Sequence, residues 1–117
     1  MQIKGEDYSI VFDDKLNTVN FNGSLRLENM GEYNAIEQFL LDVHELNLPF
    51  LNLDFKEVEF LNSSGIAMLC RFIMDVKKQN KMPVIVTGND DILWQKKSFA
   101  NLKLLWDKVE VKFGRAQ

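Results

Sequence analysis

An apolar stretch, Val58-Glu59-Phe60-Leu61, runs directly into Asn62-Ser63-Ser64-Gly65 and then into Ile66-Ala67-Met68-Leu69-Cys70-Arg71-Phe72-Ile73-Met74. The first segment is strand-like, the second turns, and the third has apolar residues at helical spacing, so a strand must hand the chain to a helix with almost no loop between them. Asn and Ser are favoured at helix N-termini because their side-chain oxygens accept from backbone N–H groups that have no intrahelical partner. The same place is the positive end of the helix dipole, where a phosphate can be accommodated. Chemistry on this chain is therefore expected at the 62–65 turn, with Ser64 better placed than Ser63 to act as a cap or first-turn residue.

The rest of the chain switches repeatedly between a period of two and a period near 3.6, which is the pattern of strands alternating with helices. Tyr8, Ile10 and Phe12 alternate with polar neighbours, residues 13–17 read as a turn, and Val19 and Phe21 alternate again before Gly23, giving an N-terminal hairpin. From about Glu32 to Leu46 the residues Ile36, Phe39, Leu40 and Val43 follow helical spacing, and Asn34 with Glu37 can form a capping box if the helix starts late. After Pro49, Leu51, Leu53 and Phe55 share one strand phase while Val58 and Phe60 share the opposite one, which predicts a bend or bulge near Lys56-Glu57. A second helix is predicted from about Ser64 to Lys78, with Ile66, Leu69, Cys70, Ile73 and Val76 as its core stripe and Lys77-Lys78 near its C-terminus. Val84-Ile85-Val86 reads as a buried strand. Asn89 or Asp90 can cap a last helical region holding Trp94, Phe99, Leu102 and Leu105, with a break near Ser98, and Val109, Val111 and Phe113 make a closing strand. The fold class is α/β: a sandwich with a mixed central sheet of about five to six strands and helices mainly on one face.

A chain of 117 residues with 46% apolar content has the size of one globular domain, 1–117, in which residues 1–16 form a hairpin extension. A formal charge of −3, a pI near 5.1 and 14 scattered basic side chains give no footprint for wrapping a polyanion, so nucleic acid is not an expected partner. The single cysteine, Cys70, cannot form an internal disulfide and sits in an apolar helical run, as a small hydrophobe would. The charged N-terminal residues lack a hydrophobic targeting core, and no run approaches the ~18 apolar residues of a membrane span, so the cytoplasm is the expected location.

Order of elements and turn chemistry resemble the STAS domains, whose founding members are the bacterial anti-sigma factor antagonists. The likeness spans roughly Thr18 to Phe113. It rests on Leu51-Asn52-Leu53-Asp54-Phe55 as the central strand and on Val58 to Ile66 as the phosphorylation turn, which is similar to the family's Asp-Ser-Ser/Thr-Gly-Leu/Ile. The resemblance implies that Ser63 is phosphorylated by a serine kinase or anti-sigma-like protein of histidine-kinase-like ATPase fold, and that a metal-dependent serine phosphatase reverses this, with Ser64 the alternative acceptor. Asn62 stands where the family has Asp, which removes a carboxylate from the phosphorylation turn. That substitution, the N-terminal extension and Trp94 to Ser98 look similar to a divergent branch of STAS-like regulators, some of which regulate a nucleotide cyclase. The function so implied is a non-catalytic, cytoplasmic partner-switching regulator in bacterial signalling and transcription control. The alternative is an unphosphorylated binding module that holds a small anion or a constitutive protein partner at the same turn.

Met68 and Phe72, beside the core stripe, are candidates for an apolar partner surface next to the serines, with burial against the neighbouring helix as the competing reading. Trp94 and Trp106 read as core or edge-covering aromatics, and Lys96-Lys97 as a solvated face. Nothing in the inventory makes an enzyme. His44 has no second histidine or cysteine beside it for a metal set and reads as a surface or boundary residue, neither serine has an identifiable base, and there is no phosphate-cradling Gly-rich loop. Catalysis would require Asp54 or Glu59 to converge on Ser63. No cofactor and no metal are expected.

Overall fold

The computed structural model describes residues 1–115. Strands β1 (Gln2–Lys4), β2 (Tyr8–Asp13) and β3 (Thr18–Leu25) form an antiparallel meander, followed by α1 (Met30–His44), β4 (Leu51–Leu61), α2 (Ser63–Gln79), β5 (Val84–Asn89), α3 (Leu93–Phe99) and β6 (Val109–Gly114), with a 3-10 turn at Leu102–Leu104. The six strands lie in sequence order, antiparallel across β1 to β3 and parallel from β3 to β6. This is the expected α/β architecture at the upper end of the predicted strand number. The sequence reading gave the N-terminal extension one hairpin; it holds a further edge strand, β1, because Gln2 to Lys4 pair with Ser9 to Val11 across a turn at residues 5–7.

Three successive parallel crossovers that all step the same way across a sheet place their helices on one face when they share the usual hand. Burial follows that rule. Val19, Phe21, Leu51, Leu53, Phe55, Val84 and Val86 point into the core with Ile36, Leu40, Leu69, Ile73 and Phe99, whereas Asn20, Asn22, Asn52, Asp54 and Thr87 line the opposite, helix-free face. On that face Thr87 Oγ1 donates to Asn52 Oδ1 at 2.8 Å, so neighbouring strands are bridged by polar side chains.

The phase slip predicted near Lys56-Glu57 is present and is double: Asn20 pairs Asp54 but Asn22 pairs Glu57, and Gly23 pairs Val58 but Ser24 pairs Phe60. The second irregularity corrects the reading of Phe60 as a companion of Val58. One extra residue at Glu59 turns Phe60 outward, 37% exposed, and gives its core position to Leu61. Buried Gln95 holds this region from α3. Its Nε2 donates to the carbonyls of Phe55 and Val58, both at 2.8 Å, and its Oε1 accepts from the Asn89 N–H at 2.6 Å.

Helix boundaries correct three other expectations. Asn29, not Asn34, caps α1, its Oδ1 accepting from the Gly31 N–H at 2.7 Å, so the helix starts before Glu32 and Asn34 is an exposed residue within it. Asn89 does not cap α3; its Oδ1 accepts from Asp91 N–H within the preceding turn, and the helix stops at Phe99. His44 is not a surface or boundary residue: it is 1% exposed at the end of α1. Ile66 and Cys70 are half-buried, and burial holds the Cys70 thiol above its ordinary range.

Candidate functional site

Strand β4 ends at Leu61 and α2 begins at Ser63, so a single residue, Asn62, makes the whole connection. Its extended backbone (φ −77°, ψ 175°) is the usual N-cap geometry, and its Oδ1 accepts from the Gly65 N–H at 3.1 Å. Neither serine is the cap; Ser64, expected as a cap or first-turn residue, is the second residue of the helix and so takes the first-turn place. The same Oδ1 accepts from the Tyr33 hydroxyl at 2.5 Å, which also lies 3.1 Å from the Leu25 carbonyl, and the Asn62 Nδ2 donates to the Leu27 carbonyl at 3.1 Å. The Asn62 N–H donates to Leu25 O at 3.2 Å. Four elements meet here: the end of β3, the start of α1, the end of β4 and the start of α2.

This network explains Asn62 in chemical terms. Aspartate could receive the Gly65 N–H and the Tyr33 hydroxyl, but it could not donate to Leu27 O; the amide does both. Gly65 is also required. A Cβ there would collide with the Leu61 side chain and come within 2.9 Å of the Tyr33 hydroxyl. Burial pushes the Tyr33 phenol above its ordinary pKa, so it stays protonated as a donor.

Ser63 and Ser64 are both exposed at the first two positions of a 17-residue helix. Among the described residues no protein hydrogen bond takes their backbone N–H groups or their hydroxyls. The site therefore offers an accessible nucleophilic hydroxyl beside open N–H donors on a scaffold fixed by Asn62. Arg26, between the Leu25 and Leu27 carbonyls that Asn62 engages at and just past the end of β3, lays its guanidinium over the Phe60 ring at 4.6 Å.

Met68 and Phe72 correct the sequence reading most sharply. They are 1% and 0% exposed and belong to the core, so they are not a free partner surface. The competing reading, burial, is what the structure has. From Ser63 the exposed face of α2 continues through Ala67 and Arg71 to Met74, at spacings of four, four and three, with Arg71 Nε donating to Glu37 Oε1 at 3.0 Å. That spacing was readable in the sequence once the cap was known. Tyr33 and Gln95 were missed because their partners are distant in the chain and main-chain carbonyls leave no sequence signal.

Asp54 and Glu59 do not converge on Ser63. The Asp54 carboxylate lies on the open face, accepting from the Lys56 N–H at 2.9 Å, and Glu59 is exposed, its carbonyl accepting from Trp94 Nε1 at 2.8 Å. Trp106 is buried at 5% exposure. No group of three or more His, Cys, Asp or Glu side chains comes together among the described residues. A hollow of about 340 Å³ borders the turn at Leu27, and its charged lining is Glu6, Asp7, Glu28 and Glu32 with Arg26. Among the described residues no helix is long and apolar enough to cross a membrane.

No family model and no curated protein sequence matches the chain. Solved structures do. It superposes on the crystal structure of the diguanylate cyclase SiaD in complex with its activator SiaC from Pseudomonas aeruginosa with a TM-score of 0.68 and 14% identity, over 97% of this chain and 99% of that one. Apo-SiaC from the same organism gives 0.64 and 20% over 99% and 98%, and a further SiaC structure from Pseudomonas aeruginosa gives 0.61 and 20% over 100% and 96%. At these identities the likeness establishes the fold, a STAS-like one.

Proposed function

We propose that this chain is a non-catalytic regulator that binds a protein partner through the end of the sheet carrying Ser63 and is switched by reversible phosphorylation of that serine. One observation carries the reading: an exposed hydroxyl at the first position of a long helix, on a turn whose conformation is fixed by Asn62. The fold adds to it, since SiaC, which has the same fold, is the activator of a diguanylate cyclase. By analogy the partner is a signalling enzyme of the cyclase kind or a serine kinase of histidine-kinase-like ATPase fold, with a metal-dependent phosphatase restoring the free hydroxyl, all in the cytoplasm.

The physics of the switch is local. Phosphorylation adds about −1.5 to −2 charge and strong acceptor oxygens, and a helix N-terminus stabilises such a group by about 0.3 to 2 kcal/mol, so the fold tolerates it. A partner packed over Ser63 does not. Desolvating an unpaired charge costs several kcal/mol, and ~1.4 kcal/mol is already tenfold in affinity. A small-anion module is the poorer reading, because the adjoining hollow carries four carboxylates against the single guanidinium of Arg26, a net charge that would repel the ligand.

Incubation with ATP and a kinase encoded beside the gene, followed by peptide mass spectrometry, tests this. One added phosphate at Ser63, absent in Ser63→Ala and retained in Ser64→Ala, is the expected result, together with at least tenfold weaker partner binding by Ser63→Glu. Transfer to Ser64 would move the switch by one residue. No transfer, with Ser63→Glu binding as tightly as the unmodified chain, would overturn it.

A further inference from the structure

His44 is the chain's sole histidine and closes α1. It is 1% exposed, and among the described residues neither Nδ1 nor Nε2 has a protein hydrogen-bond partner. Buried polar atoms are ordinarily paired, and an imidazole held this way can stay only in its neutral form, because a second N–H with its charge would have nowhere to go. The chain just after it is tied to the end of α1 by backbone bonds, Glu45 N–H to Leu41 O, Leu46 N–H to Val43 O and Asn47 N–H to His44 O, while its side-chain ties to the neighbouring elements are weak. Glu45, Leu46 and Asn47 are exposed, and the two side-chain bonds joining this corner to the end of α2 and the chain after it, Gln79 Nε2 to Glu45 Oε1 and Lys81 Nζ to Asn47 Oδ1, are both 3.4 Å long and exposed.

We propose that His44 is an acid-sensitive latch: protonating its imidazole requires the last turn of α1 and residues 45–50 to swing away from the core and admit water, while the rest of the sheet stays paired. The charged groups that act on it are Glu45, next to it at the helix end, and Lys81, in the connection from α2 to β5, and they oppose one another. Burial is the largest influence and lowers its pKa below the ordinary 6.5. The sign follows. The closed form binds the proton less readily than the open one, so closure is fully favoured above pH 6.5 and is progressively lost as the pH falls below it. The latch lies at the far end of α1 from Tyr33 and acts independently of Ser63.

The test is amide hydrogen exchange of the whole protein at pH 7.0 and 5.5, corrected for the intrinsic rate, with the His44 ring proton followed by NMR in parallel. In the unaltered chain the opening constant for residues 41–50 should rise by up to about eightfold between pH 7.0 and 5.5, as an open-state imidazole of ordinary pKa takes up at most one proton per opening. In His44→Phe that rise should vanish, with amides in β4 and β5 unchanged in both proteins. Equal pH dependence in the two proteins overturns the proposal, as does opening of the whole sheet together. Should His44→Phe fail to fold, the one histidine resonance decides: titration at an ordinary value with exchange unaltered refutes the latch, and a depressed midpoint accompanied by exchange in 41–50 supports it.

Discussion

Asn62 uses one side chain to accept from Gly65 and Tyr33 and to donate to Leu27, so its replacement separates capping from bridging. Asn62→Asp keeps the acceptors, loses the donor and faces Leu27 O with a carboxylate; it should destabilise by about 1 kcal/mol in urea unfolding, with the helix intact. Asn62→Ala loses the cap as well and leaves buried groups unpaired, for about 2–4 kcal/mol. Asparagine in this turn was legible as a helix start, but its donor role was not, because Leu27 is 35 residues away and contributes only a carbonyl. At Gly65 the added methyl of alanine would meet Leu61 and the Tyr33 hydroxyl, so Gly65→Ala should cost about 1–3 kcal/mol through overpacking, although alanine is the better helix former.

Among the elements, β4 is the one whose irregularity decides the most. Its two slips bring Leu61 into the core, turn Phe60 out and aim the 62–65 turn, and Gln95 of α3 satisfies the carbonyls that the bulged strand leaves free. Gln95→Leu keeps the volume but orphans Phe55 O, Val58 O and Asn89 N–H. A loss of roughly 3 kcal/mol or more by urea unfolding is expected, which exceeds the cost of an ordinary surface glutamine several-fold. Within α2, Phe72→Ala should lower stability by about 3–5 kcal/mol, as a core truncation does, whereas Met74→Ala on the exposed face should change it by under 0.5 kcal/mol. The slip near Lys56 was legible because strand phase has a period of two and cannot change without an extra residue. The second slip was hidden, since the run from Val58 to Leu61 can bury Phe60 or Leu61 equally well by pattern.

For the whole molecule, one face of the sheet carries all three helices and the other is polar and open, so a charge placed at the start of α2 sits at the rim and strains neither layer. Ser63→Glu should therefore leave circular dichroism unchanged and keep stability within about 1 kcal/mol of the unaltered chain, shifted upward by the helix dipole if at all. The order of strands and helices from β2 onward, the strand phases about Leu53 and Val84 and the place of the serine turn were fixed by the sequence itself, because period and turn chemistry act over a few neighbouring residues. Which asparagine caps which helix, the burial of Met68, Phe72 and His44, and the Tyr33–Asn62–Leu27 bridge were decided only in three dimensions, where α1 meets α2 over the sheet, because each depends on partners that packing brings together from distant parts of the chain.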